Sequence, residues 1–314
     1  MNNQFGRKIG LIVFAGEDGL DLSAYKIEFS VQNADQESPN NAVIRVYNLA
    51  PNTVKKIRGE FSQVVLNAGY EQGNYGVIFQ GTIKQFKVGK LNSTDSFLDI
   101  LAADGDISYN QGIVSATIAK GETPLTAIET IAKDLPDSQG VSTENLLIDK
   151  QHVPSIRGTV LFGMARARLR NLASNLDASW SIQNGRVVFM DNTGYAEGEA
   201  VEINIASGQV GFPQQTDEGI KVSCLLNSRL RIGGLVHLNN SEIVQLLQQN
   251  PDAAPIPFNQ WAGFQPLAPL SPDGFYRAYV VEHEGDTRGN AWYSHITCLA
   301  VDRSSPRDKS VSPQ

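Results

Sequence analysis

The chain has 314 residues, 41% of them hydrophobic and 19% charged, so it can bury a substantial core, and its length favours two or three domains over one. Its 26 Lys and Arg stand against 33 Asp and Glu, a net charge of -7 that argues against sequence-independent nucleic-acid binding, which needs basic residues in excess. Cys224 and Cys298 are the only cysteines, far apart and without metal-ligand spacing, which suggests neither a disulfide scaffold nor a zinc site and fits a reducing cytosol.

The N-terminus is polar, and the apolar run Ile9–Ala15 is too short for a signal peptide or membrane span, so no membrane anchoring is expected. From Lys8 to about Asp104, short β-branched and aromatic stretches alternate with Gly, Asn and Asp clusters. They predict strands at Lys8–Ala15, Ala24–Gln32, Ala42–Leu49, Gln63–Glu71, Val77–Val88 and Ser96–Ala103. In the second, Tyr25, Ile27, Phe29 and Val31 share one face. Pro51 opens a short helix over Asn52–Arg58, with Val54 and Ile57 one turn apart, expected to plug the end of a barrel.

The period then lengthens to about 3.6 residues. Thr123 and Pro124 start a helix with Leu125, Ile128, Ile131 and Ala132 on its apolar stripe, and Pro136 stops it. A second helix is predicted over Met164–Leu176, followed by a hairpin that turns at Asn184-Gly185. Beyond Glu199, β-signals return at Lys221–Leu226, Arg229–Leu238, Phe275–Glu284 and Ala291–Asp302. A short helix is expected around Ile243–Gln248, then a Pro-rich insertion over 250–272, a loop length that usually marks function or a partner.

The expected fold is therefore mainly β with α+β parts: two tube-like β-barrel domains, 1–106 and 199–303, flanking a small α/β domain at 107–198, with a loose tail over 304–314. A gapless offset of 198 lays Gly76, Asn92, Ser96, Leu101, Ala102 and Asp104 on Gly274, Asn290, Ser294, Leu299, Ala300 and Asp302. The same offset puts Ile83 on Val281, Leu98 on Ile296 and Ile100 on Cys298, in matching apolar phase, as a duplicated barrel requires.

Catalytic patterns are weak. His152, His237, His283 and His295 form no HExxH or His-x-His pair, and there is no GxSxG elbow, P-loop or GxGxxG. His283, Glu284 and Asp286 fall at a hairpin end, where charged residues are ordinary, and with 33 acidic residues a carboxylate pair carries no signal. No catalytic residue, metal or cofactor is expected. Arg166, Arg168 and Arg170 read first as a solvated helix face. Arg166 and Arg170 are the candidates for docking an acidic partner, and Trp261 and Phe264 in the Pro-rich insertion are candidates for an apolar contact.

Several stretches together resemble the baseplate hub family of contractile-tailed phages. They are Val43-Ile44-Arg45-Val46-Tyr47-Asn48-Leu49 with the Pro51–Arg58 turn, Val64–Tyr70, Ile78–Ile83, the helix-then-hairpin Met164–Met190, Leu226–Val236, and Tyr279–Tyr293 with its Gly285-Asp286-Thr287-Arg288-Gly289. The resemblance implies a homotrimer whose two barrels per chain form a pseudo-six-fold ring, joining a six-fold tail tube to a three-fold central spike. It also implies contacts with baseplate wedge proteins, and a channel that passes the tape-measure protein and, in transit only, DNA. The place would be the virion tail baseplate, assembled in the host bacterial cytoplasm. A fused spike or lysozyme-like module is not evident. The alternatives are a tail-tube or distal-tail ring protein and a tail-associated peptidoglycan hydrolase.

Overall fold

A computed structural model describes residues 4–136, 140–147, 154–192, 194–196, 198–245 and 268–301. The first part runs β1 (Arg7–Ala15), β2 (Asp18–Asp21), β3 (Ile27–Ala34), β4 (Asn41–Tyr47), α1 (Pro51–Glu60), β5 (Gln63–Tyr70), β6 (Tyr75–Lys90) and β7 (Ser96–Ala103). The short connection α2 (Asp106–Gln111) leads into β8 (Ile113–Ile118), α3 (Pro124–Asp134), β9 (Val141–Leu147), β10 (Thr159–Met164), α4 (Ala165–Asn175), β11 (Ala178–Gln183) and β12 (Arg186–Asp191). The last part contains β13 (Val201–Ile203), β14 (Gln209–Gln215), β15 (Ile220–Leu225), β16 (Leu235–Leu238), β17 (Val244–Gln245), β18 (Phe275–Asp286) and β19 (Trp292–Ala300).

Three apolar cores form. Alternation in β3 and β4 sends Ile27, Phe29, Val31, Ile44 and Val46 inward, where α1 adds Ile57, in a core that also takes Leu226 and Trp292 from the last part. Ala127, Ile128, Ile131 and Ala132 of α3 meet Leu169 and Ala173 of α4 and Trp180 and Phe189 of the following hairpin. Ile220, Val222, Cys224, Val236, Tyr276, Val281 and Ile296 centre the third. Between the second core and the first, Asn184 (φ 51) and Gly185 (φ 75) both take the left-handed conformation that a two-residue hairpin turn demands.

The first and third parts share one 14-stranded sheet. Its hydrogen-bonded path is β17-β14-β15-β19-β18-β3-β4-β7-β6-β5-β1-β2, with β13 and β16 as a branch, and among the described residues it does not close on itself. The joint is β18: one edge carries β19, while the other carries β16 at Phe275–Arg277 and β3 at Val280–Asp286. The middle part has a two-stranded sheet, β8 with β10, and a three-stranded one, β9-β12-β11.

The two large units share more than composition. Adding 195 to β6 and 196 to β7 converts all eight pairs of that hairpin, from Thr82↔Ala103 to Lys90↔Ser96, into pairs of β18 with β19, from Arg277↔Leu299 to Gly285↔Trp292. The β-bulge falls at the equivalent place in both, Lys84 and Tyr279. Adding 178 to β4 reproduces the β15–β19 ladder, and adding 172 to β5 reproduces β16 on β18. The gapless offset of 198 does not hold: it would pair Val281 with Ala300, whereas Val281 faces Ile296. Register follows bulge and turn, and the second hairpin's turn is one residue longer, so chance identities at the ends misplace it.

Other expectations need correcting. Arg229–Leu238 is a strand only from Leu235, because Gly233 adopts φ 77 and Gly234 donates to the Arg231 carbonyl at 3.0 Å, closing a turn. In place of a helix at Ile243–Gln248, a single 3-10 turn at Asn240–Glu242 leads into β17, where the sheet edge supplies backbone partners; 246–248 lie outside the described residues. So do most of the Pro-rich insertion and the 304–314 tail.

Candidate assembly interface

The chemistry-bearing residues gather where the three parts meet. Arg277 of β18 and Asp35, just after β3, form a buried ion pair at 3.8 Å. Arg277 also donates to the carbonyls of Asp191 (2.9 Å) and Gly194 (3.1 Å), and Asp35 accepts from the Ser179 hydroxyl at 2.8 Å. One network thus ties β3, β18 and the β11–β12 hairpin. Burial raises the Asp35 pKa against the Ser179 hydrogen bond and Arg277, and burial lowers that of Arg277 against Asp35. A second tie is Asp104, which accepts from the Gly185 N–H at 2.8 Å and from that of Asn184. Burial pushes its carboxyl up to about 7, with those hydrogen bonds pulling the other way. Asn40 completes the contact, donating to the Ile182 carbonyl at 3.1 Å.

The β3–β18 seam contains the Gly285–Gly289 stretch. Gly285 sits against the Phe29 ring, where a Cβ would overlap it, and Phe29 meets Trp292 edge-on at 5.5 Å. Arg7 lies over the Trp292 ring and donates to the carbonyls of Asp286, Gly289 and Asn290, locking the turn. Ile27 N–H donates to the Thr287 hydroxyl and Thr287 N–H to the Ile27 carbonyl, both at 3.0 Å.

His283 and Glu284 point to opposite faces. His283 is buried beside Ser294, its Nδ1 sharing a hydrogen bond with the hydroxyl at 2.8 Å. Burial, then the charge of His295, lowers its pKa to about 4, so it is neutral at pH 7. On the outer face, Ser223, His295 and Glu284 form a row, with Ser223 Oγ to His295 Nδ1 at 2.8 Å and His295 Nε2 to Glu284 at 3.2 Å. These are the residue types of a hydrolase triad, but Ser223 lies mid-strand in β15 between β14 and β19, on a regular ladder with β19. Among the described residues no three His, Cys, Asp or Glu cluster as metal ligands.

The predicted docking residues are partly engaged within the chain. Arg166 lies over the Tyr109 ring and donates to Asn110 at 3.3 Å, and Arg170 is paired with Glu37 at 2.6 Å. Trp261 and Phe264 lie outside the described residues. Sequence reasoning missed a different feature: Val160 and Phe162 of β10 are exposed beside Ile113 of β8 on a two-stranded sheet. Their alternation was the available signal, masked by the helix that begins two residues later.

The family model described as Baseplate hub gp41 matches residues 26–250. The chain belongs to this baseplate hub family. Its fold is similar to that of the 43 kDa tail protein of prophage MuSo2 from Shewanella oneidensis, with a TM-score of 0.56 and 6% identity over 94% of this chain and 97% of the other. A tail protein from Neisseria meningitidis MC58 gives 0.57 and 9% over 94% and 96%. The Escherichia coli c3393 protein, a component of the type VI secretion system described as structurally similar to T4 tail proteins gp27 and gp5, gives 0.57 and 11% over 93% and 77%. None of the curated proteins matches in sequence. At such identities the likeness is one of fold.

Proposed function

We propose that this member of the baseplate hub family is the structural hub of a contractile phage tail, adapting the six-fold tube to the three-fold central spike. The observation that carries this reading is the pair of five-strand units, β3-β4-β7-β6-β5 and β14-β15-β19-β18-β16, with matching order and register in one chain. Three copies would present six such units, so a homotrimer meets a hexameric tube with like surfaces and a trimeric spike with its true symmetry.

The domains are 1–106 and 199–303, each completing a tube-like barrel in the ring, with 107–198 between them. The ring encloses part of the channel for tape-measure protein and DNA, whose passage a chain of net charge -7 does not arrest. The candidate contacts to the spike, tube or wedge proteins are Arg166, Arg170, Trp261 and Phe264. The role is mechanical rather than catalytic, played in the virion tail after assembly in the host cytoplasm. Native mass measurement, alone and with the cognate spike, tests it: a trimer that binds spike is expected, and a stable hexamer without spike affinity overturns it.

A further inference from the structure

A cleft of about 320 Å³ opens where the start of β1, the Ser23–Tyr25 loop after β2 and the β18–β19 turn come together. Its charged lining residues are Arg7, Lys8 and Arg288, and among the described residues no Asp or Glu lines it. Arg7 gives its guanidinium N–H groups to three backbone carbonyls, and Lys8 lies over the Tyr75 ring at 4.6 Å, so both have neutral partners and keep their charge. The exposed Arg288 side chain has no partner among the described residues. The acids adjoining the cleft are engaged: Asp21 accepts from the Ser23 N–H at 2.8 Å and from its hydroxyl, and Asp286 accepts from the Arg288 N–H at 2.8 Å and stands 3.6 Å from Lys26.

Trp292 lines the same cleft. Only 1% of it is exposed, and its indole Nε1 is buried without a hydrogen-bond partner among the described residues. An indole N–H can only donate, and a buried donor without an acceptor costs free energy that an incoming acceptor would return. Tyr25 and Thr287 bring two hydroxyls to the lining, and Thr287, which accepts from the Ile27 N–H, keeps its own proton to give. The cleft therefore combines uncompensated positive charge with an excess of donors.

We infer that this cleft binds a small multivalent oxyanion of the inorganic phosphate type, whose oxygens accept from the Trp292 N–H, Arg288 and Lys8 in the field of Arg7. Donors that converge from three segments suit a tetrahedral anion with four oxygens better than a carboxylate with two, and charge-assisted hydrogen bonds supply the affinity. Arg7 and Lys8 belong to the first part of the chain and Arg288 and Trp292 to the last, so the bound anion fastens the two parts at this end of the β3–β18 seam.

Equilibrium dialysis of the full chain against radiolabelled inorganic phosphate, at neutral pH and constant ionic strength, tests this. One saturable site per chain is expected, with affinity falling about tenfold in Arg288→Ala and in Lys8→Ala, the loss of one charge-assisted hydrogen bond in each. Both side chains are exposed, so these variants keep the fold. Lys221→Ala, which removes a lysine paired with Glu218 outside the cleft, should bind as the wild type does. Trp292→Phe keeps an aromatic ring, loses the N–H and should weaken binding to a similar degree; if a thermal melt shows that it does not fold, the two surface variants decide. Absence of saturable binding overturns the site, as does an equal loss in Lys221→Ala, which would mark a general charge effect. Unlabelled acetate competing as strongly as unlabelled phosphate overturns the assignment to a multivalent oxyanion.

Discussion

Arg277 and Asp35 are 3.8 Å apart with only 5% and 1% of their side chains exposed, and they are the point at which all three parts of the chain share one polar network. Removing one member of such a pair strands the other charge in a low-dielectric site. Arg277→Ala should therefore lower unfolding stability by about 3–5 kcal/mol, and it also removes the hydrogen bonds that Arg277 donates to the Asp191 and Gly194 carbonyls. Urea denaturation of the wild type and of Arg277→Ala and Asp35→Asn checks this. A change below measurement error in both variants would contradict the junction role.

Gly285 lets β18 pack closely on the Phe29 ring in the β3–β18 seam. A side chain there meets the Phe29 and Trp292 rings, neither of which has room to withdraw from the first core. Gly285→Val should cost about 1–3 kcal/mol through overpacking. Gly16, with nothing around it to meet a Cβ, takes φ +61, so Gly16→Asn, a residue tolerant of that region, should be nearly neutral. Thermal melting of the two variants side by side separates packing from general loss of glycine.

His283 supplies a pH dependence of one sign. Its folded pKa of about 4 lies below its ordinary value of 6.5, so between these values the unfolded chain binds more protons and stability rises with pH. The contribution, about 3 kcal/mol for a shift of this size, is present above pH 6.5 and is lost as pH falls through 4. His283→Gln, which cannot titrate, should flatten that limb in denaturant melts collected from pH 4 to 7.

Asp104 supplies the opposite sign. Its folded value of about 7 lies above the ordinary 3.8, so the folded chain binds the extra proton and stability falls as pH rises between these values. The effect is on the order of 4 kcal/mol, complete below about pH 4 and gone above 7. Asp104→Asn keeps an acceptor for the Asn184 and Gly185 N–H groups and should gain stability relative to wild type toward pH 8. An unchanged pH profile in that variant would show that the carboxylate stays ionised throughout.

Much of the local structure was legible. Alternation placed β3 and β4, Pro124 and Pro136 bracketed α3, and Asn184-Gly185 marked its turn, because each depends on a few adjacent residues. β14 was not legible: no strand was expected over Gln209–Gln215, where Gly211 and Pro213 interrupt the pattern, yet the ladder shifts register between Val210 and Gln214 and so tolerates both. The Ser223–His295–Glu284 row was hidden for another reason, since three strands must be in register before those side chains meet. Arg166 and Arg170 stood out as a charged face, but only the packed structure revealed Tyr109 and Glu37 as their neighbours.

By itself the sequence determined the mainly β character, the helices of the middle part, the absence of recognisable catalytic motifs and the likeness between two distant hairpins. These are properties of period, turn chemistry and side-chain type, which short segments express alone. Only the tertiary structure decided how the hairpins correspond, with offsets of 195 and 196 rather than 198, and that β18 shares one edge between β16 and β3. Register and edge sharing depend on bulges and on hydrogen bonds between residues far apart in the chain, and no local pattern encodes which of two similar edges a strand will take.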